Sequence, residues 1–219
     1  MIKAIVFDFD GLIYDTEVPE YKAHRELFAE HGQELELSVW GQCVGTNDSG
    51  FNPYDHLEAC LGKPVDRDDL RGRFRTKFDR LLAQEAIRPG VEDYLQAAQA
   101  LGLRIGLASS SGRDWVMGHI AKLNVLPYFE CIRVRENVRL VKPDPELYAQ
   151  VIREFGIEPH EAVAFEDSPN GARAAKAAGM RCVTVPNDVT RHLVFDEYDL
   201  QLRSLADMSL EALLRRLEA

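Results

Sequence analysis

A doubly wound parallel α/β sheet carrying an inserted all-helical module is the fold class this sequence predicts, and three observations predict it. The chain opens on a short apolar, β-branched and aromatic run, Ile2-Lys3-Ala4-Ile5-Val6-Phe7, of the kind found in strands buried on both faces. Residues 17–86 carry helical periodicity and no strand signal. From residue 87 onward, short apolar runs alternate with helical stretches of about ten residues, the pattern of βαβ units and hence of a parallel sheet.

Taken in order, the opening strand ends abruptly in acid. Asp8 and Asp10, followed by Gly11, stand where a buried strand opens into a loop, the place where open α/β sheets bind ligands. Over 17–31, Tyr21, His24, Leu27 and Phe28 recur at helical spacing, and Gly32 stops that helix. Residues 40–49 read as a glycine-bearing polar loop, 54–61 as a helix closed by Gly62, and 66–86 as a long helical stretch of mixed charge. Pro89-Gly90 then punctuates the chain. Helices over 91–101, 114–123, 145–155 and 170–178 alternate with strands over 103–108, 131–134, 162–165 and 182–185, and an amphipathic helix occupies 207–219. Residues 1–16 and 87–219 therefore form the expected α/β core, with 17–86 as a helical cap set over the carboxyl ends of the strands.

Composition narrows the function. With 219 residues, 46% hydrophobic and 28% charged, the chain suits one substantial globular core plus a small insertion. No stretch approaches the roughly 20 apolar residues of a membrane span, and acids stand in residues 1–16 where a signal peptide would be apolar, so a cytoplasmic protein is expected. A net charge of −10 argues against nucleic acid as a partner. The densest basic patch, Arg71, Arg73, Arg75, Lys77 and Arg80, has the spacing of a solvated helix face. Cys43, Cys60, Cys131 and Cys182 show neither pairing nor metal-ligand spacing and read as reduced packing thiols.

Each core strand that matters ends in polar groups: Asp8 and Asp10 after the first, Ser109, Ser110 and Ser111 after 103–108, Glu166, Asp167 and Ser168 after 162–165. Lys142 precedes Pro143 in a loop ahead of a helix. Taken singly, the serines also suit a helix N-cap, Lys142 a surface position, and Glu166-Asp167 a strand-end turn. Their joint occurrence on one rim is the signal. Carboxylates gathered in one crevice repel by about 4 kcal/mol per close pair at an effective dielectric near 20, so a cation belongs among them. Oxygen-only ligands point to a hard ion, Mg²⁺, and hydroxyls with a lysine suit phosphate oxygens. Phosphoryl transfer to a carboxylate is the economical chemistry.

The motifs Asp8-Phe9-Asp10-Gly11 with Asp15-Thr16-Glu17, Leu107-Ala108-Ser109-Ser110-Ser111, Lys142-Pro143-Asp144-Pro145 and Phe165-Glu166-Asp167-Ser168 resemble the four signatures of the haloacid dehalogenase superfamily. Residues 17–86 are similar to the helical cap of its β-phosphoglucomutase-like branch. The resemblance implies a Rossmann-like core in which Asp8 is the nucleophile and Asp10 the general acid and base. It further implies that Ser109, Ser110 and Lys142 bind the phosphoryl group, and that Asp8, the backbone carbonyl of Asp10 and Asp167 hold Mg²⁺, with Glu166 as a ligand or a close partner of one. The acid at position 10 disfavours dehalogenation. Sugar phosphomutases of this branch usually carry a histidine where Glu20 stands, and a basic phosphate grip where Val44-Gly45-Thr46-Asn47-Asp48 stands, which favours hydrolysis of a monophosphate.

The expected activity is thus Mg²⁺-dependent hydrolysis of a small phosphorylated metabolite, a sugar or polyol monophosphate, with Tyr21, His24, Thr46, Asn47 and Arg113 as candidate substrate contacts and a monomer as the expected state. The alternatives are a β-phosphoglucomutase-like isomerase and, in another class, a non-enzymatic partner-binding protein.

Overall fold

In the computed structural model, which describes residues 1–41 and 51–218, six parallel strands form one sheet in the order β3-β2-β1-β4-β5-β6. These are β1 (Ala4–Phe7), β2 (Arg104–Ala108), β3 (Cys131–Arg133), β4 (Ala162–Glu166), β5 (Arg181–Thr184) and β6 (Leu200–Gln201). The helices are α1 (Glu17–Glu30), α2 (Leu37–Trp40), α3 (Pro53–Leu61), α4 (Arg67–Leu82), α5 (Val91–Ala100), α6 (Arg113–Lys122), α7 (Glu146–Phe155), α8 (Pro169–Ala177) and α9 (Leu210–Glu218). The doubly wound class is as the sequence predicts.

β1 lies at the centre, Phe7 in register with Leu107 on one side and Phe165 on the other, and every residue of it is buried. Its alternate side chains enter two different cores. Ile5 and Phe7 join Ile105, Leu107, Val163 and Phe165 beneath α5, α6 and α9, whereas Ala4 and Val6 join Ala162 and Ala164 beneath α7 and α8. The strand order reverses about β1, which puts the crevice for a ligand beyond the carboxyl ends of β1 and β4.

Among the described residues, α1 to α4 follow β1 ahead of α5, and they have a core of their own: Leu27, Phe28, Leu35, Trp40, Leu57 and Leu70, joined by Val189. Their ends are chemically marked. Asn52 accepts from the amides of Tyr54 and Asp55 to start α3, Gly62 ends it at φ +65°, and Asp66 accepts from Asp68 and Asp69 to start α4. The last of these helices stops at Leu82 rather than 86, because the chain must cross back for Ile87 to bridge Tyr14. Leu37–Trp40 forms a helical turn where a loop was expected from residue 40, and the rest of that expected loop lies outside the described residues. The expected solvated basic face is laced with acids: Arg73 bonds Asp69, Arg75 bonds Asp79 and Arg80 bonds Glu26. Among the described residues no helix is long and apolar enough to cross a membrane, and Cys60, Cys131 and Cys182 are free thiols.

Candidate active site

A cavity of about 550 Å³ opens over the carboxyl ends of β1, β2 and β4. The core contributes Asp8, Asp10, Ser109, Ser110, Ser111, Lys142, Trp115 and Asp167, and the helical segment contributes Glu17, Glu20, His24, Phe74, Arg75 and Phe78. Residues far apart in sequence meet here because parallel strands all deliver their exits to the same rim.

Three carboxylates cluster at its floor. One oxygen each of Asp8, Glu166 and Asp167 lies within 4.8 Å of the others. Lys142, itself buried, donates from Nζ to Asp8 Oδ1 and to Glu166 Oε1, both at 2.6 Å, and Tyr148 donates its hydroxyl to the same Glu166 oxygen. Two glycines let the chain approach. A Cβ at Gly11, where φ is +75°, would fall 2.1 Å from Asp167 Oδ2, and one at Gly171 would fall 1.9 Å from Glu166 Oε2.

Burial pushes Asp8 up to about 8 against the pull of Lys142, with the charges of Glu166 and Asp10 adding to the rise. Asp167 is driven well above the carboxylate range by burial and then by Asp8. Burial alone would lower Lys142, but the carboxylates of Asp8 and Glu166 outweigh it and hold the ammonium above the usual lysine range. Asp8 ionised and Lys142 charged is the state the 2.6 Å contacts support, since a neutral Asp8 would deprive a buried ammonium of part of its neutralising charge. One ammonium then faces three acids, so the floor lacks positive charge. Glu166 Oε2 is buried with no hydrogen-bond partner among the described residues. An orphaned carboxylate oxygen, an excess of acid and an all-oxygen donor set fit a hard divalent cation.

Asp10 faces away from that cluster. Its Oδ1 accepts from Trp115 Nε1 at 2.8 Å and Thr16 Oγ1 at 3.1 Å, and its Oδ2 from Ser111 Oγ at 2.7 Å and Ser109 Oγ at 3.4 Å. Its carboxylate is therefore not part of the group formed by Asp8, Glu166 and Asp167, and the metal role expected of Asp10 rests on its backbone carbonyl. Ser109 Oγ also accepts from the Ser111 amide, and the buried Ser110 hydroxyl has no partner among the described residues while its residue lines the cavity.

The helical-segment candidates fare unevenly. His24 lines the cavity but is a buried ring stacked on Phe74 at 4.2 Å, and burial lowers it to about 4, so it is a neutral imidazole. Tyr21 does not line the cavity: its hydroxyl donates to the Leu35 carbonyl at 3.0 Å and its ring packs on Trp40, so it serves the helical core. Arg113 is exposed and does not line the cavity either, its backbone amide donating to Glu136. Thr46 and Asn47 lie outside the described residues. Glu17 and Glu20, unassigned from sequence as contacts, do line it; burial pushes Glu20 to about 7 and Glu17 well above the usual range. Sequence reasoning also missed Tyr148, Trp115 and Asn187, whose Nδ2 donates to Asp167 at 2.8 Å. No local pattern marks them.

Comparison with known proteins agrees with this arrangement. The profile of the family described as haloacid dehalogenase-like hydrolase matches residues 5–185. The protein YhcW of Bacillus subtilis (strain 168), provisionally named a phosphatase, is 50% identical over 219 residues, covering 100% of this chain and 99% of that one. The "Phosphorylated carbohydrates phosphatase" of Thermotoga maritima is 27% identical over 183 residues, covering 82% of each chain. A crystal structure of an Asp→Asn variant of CbbY from Rhodobacter sphaeroides, in complex with xylulose-(1,5)bisphosphate, matches with a TM-score of 0.71 at 29% identity, covering 97% of this chain and 99% of that one. With four motifs on one rim and a full-length relative at half identity, the chain belongs to the haloacid dehalogenase-like hydrolase family.

Proposed function

We propose that this haloacid dehalogenase-like phosphatase hydrolyses a small sugar or polyol monophosphate through a phosphoryl-enzyme intermediate on Asp8, with residues 17–86 acting as the cap of an α/β core formed by 1–16 and 87–219. The observation that carries the reading is the floor of the cavity: a carboxylate at the exit of the central strand, bonded to a buried lysine, beside two further acids. The cavity volume, about 550 Å³, suits a metabolite rather than a polymer. Relatives named for phosphorylated carbohydrates and for xylulose bisphosphate support the substrate class.

In this reading an Asp8 oxygen attacks phosphorus while the bond to the leaving oxygen breaks, and Asp10 gives that oxygen a proton. Asp10 then takes a proton from the water that attacks the phosphoaspartate, releasing phosphate and restoring Asp8. Lys142, Ser109 and Ser110 bind the phosphoryl oxygens as the departing alcohol lies among Glu17, Glu20 and His24. Asp8, Asp167 and the Asp10 carbonyl, with Glu166 close by, would hold Mg²⁺, which when bound would supply charge compensation for the phosphoryl group. Helices over the rim exclude water from the first step.

Phosphate release from a panel of sugar, polyol and nucleotide monophosphates tests the reading. Asp8→Asn should abolish turnover while leaving the far-ultraviolet circular dichroism unchanged, and retained turnover in that variant would refute the nucleophile. Conversion of β-glucose 1-phosphate to glucose 6-phosphate without net phosphate release would replace hydrolysis by isomerisation.

A further inference from the structure

We infer that Trp115 is a positioning residue for Asp10, and that it is held in place by the helical segment through Phe78. This inference rests on the acid–base role proposed above for Asp10. Trp115 is the third residue of α6, immediately behind the serine loop, and its indole Nε1 donates to Asp10 Oδ1 at 2.8 Å across 105 residues of sequence.

The chemistry of the donor matters. The other groups on Asp10, the hydroxyls of Thr16, Ser111 and Ser109, rotate and can either give or accept a proton. An indole N–H only donates. The indole therefore holds Oδ1 as an acceptor and turns Oδ2 toward Ser109 and Ser111 of the phosphate loop. Trp115 thereby sets the rotamer of Asp10.

The indole is itself clamped. Its ring stacks on Phe78 of α4 at 5.9 Å and 25°, and lies 4.1 Å from the ring of His119 one turn along its own helix. Phe78 is buried and stacks on Phe74 at 5.6 Å, which stacks on His24 of α1 at 4.2 Å. A continuous column of rings runs from the helical segment to the acid. Seating of α4 over the rim is therefore coupled to the orientation of Asp10 by packing alone.

The test uses leaving groups. Protonation by Asp10 matters most for a poor leaving group, so kcat/KM is measured for phenyl phosphate and para-nitrophenyl phosphate, and the phenyl to para-nitrophenyl ratio is the readout. Asp10→Asn sets the reference by lowering that ratio. Trp115→Phe, which keeps the stack and removes only the donor, should lower it by about tenfold, and Phe78→Leu should lower it in the same sense with the indole still present. A structural defect lowers both rates together and leaves the ratio unchanged. If Asp10→Asn lowers the ratio and Trp115→Phe does not, the inference is overturned. An unchanged ratio in Phe78→Leu overturns the link to the helical segment. Failure of the wild type to release phosphate from these esters and from the whole panel above overturns the phosphatase reading, and the role of Trp115 falls with it.

Discussion

At Gly171 the backbone of α8 runs against Glu166 so closely that no side chain fits between them, every carboxylate atom lying within about 2 Å of where a Cβ would be. The acid is wholly buried and bonded to Lys142 and Tyr148, so it has nowhere to retreat. Gly171→Ala is therefore expected to destabilise the fold by about 1–3 kcal/mol. Gly118→Ala, on an exposed stretch of α6 with nothing within 4 Å, should be neutral or stabilising by up to about 1 kcal/mol. Urea unfolding of the two variants checks the contrast. Residues at this scale were legible where chain order itself marks them. Asp8, Asp10, Ser109 and Asp167 could be found because each sits within three residues of the end of a recognisable strand. Trp115 and Asn187 could not, since their partners come from elsewhere in the fold, and Tyr148 looks like any core aromatic of an amphipathic helix.

Among the elements, α1 and α4 meet through the ring of His24 against Phe74, with Trp40 5.0 Å away on α2. Burial lowers His24 to about 4 from the ordinary 6.5. As pH falls through 6.5 the unfolded chain takes up a proton that the folded one refuses, so stability is complete above pH 6.5 and is lost down to pH 4. At pH 5 the loss from this group is about 2 kcal/mol. His24→Phe should remove that increment from the difference in unfolding free energy between pH 7 and pH 5, and an undiminished difference would refute the assignment. Element boundaries were mostly readable because glycines and capping side chains mark them, as at Asn52, Gly62 and Asp66. The helical turn at Leu37–Trp40 and the two-residue strand Leu200–Gln201 were not, being too short to show a period. Tyr21 misled for a related reason. Helical spacing puts it on the same face as His24, yet its hydroxyl finds the Leu35 carbonyl within the helical core, and periodicity carries no information about such a partner.

For the molecule as a whole, an acidic floor with one ammonium among three carboxylates makes folding without a divalent ion costly. Mg²⁺ bound only by the folded state stabilises by about 2.7 kcal/mol at one hundred times its dissociation constant. The thermal midpoint should rise with Mg²⁺ and fall on chelation, and Asp167→Asn should blunt that response; an indifferent midpoint in the parent protein would argue against the ion. The overall architecture was readable because each strand of a doubly wound sheet, covered on both sides, announces itself as an unbroken apolar run, and because the order of such units along the chain restricts how they can be arranged.

The two sources of the cavity wall also divide the labour of change. Groups anchored to the middle of the sheet cannot shift without disturbing the best-packed part of the protein, whereas Glu17, Glu20 and Arg75 stand on helices that also build a second core of their own. If the proposed roles hold, variation confined to those helices would redirect the enzyme toward a different alcohol while the bond-breaking apparatus is inherited intact.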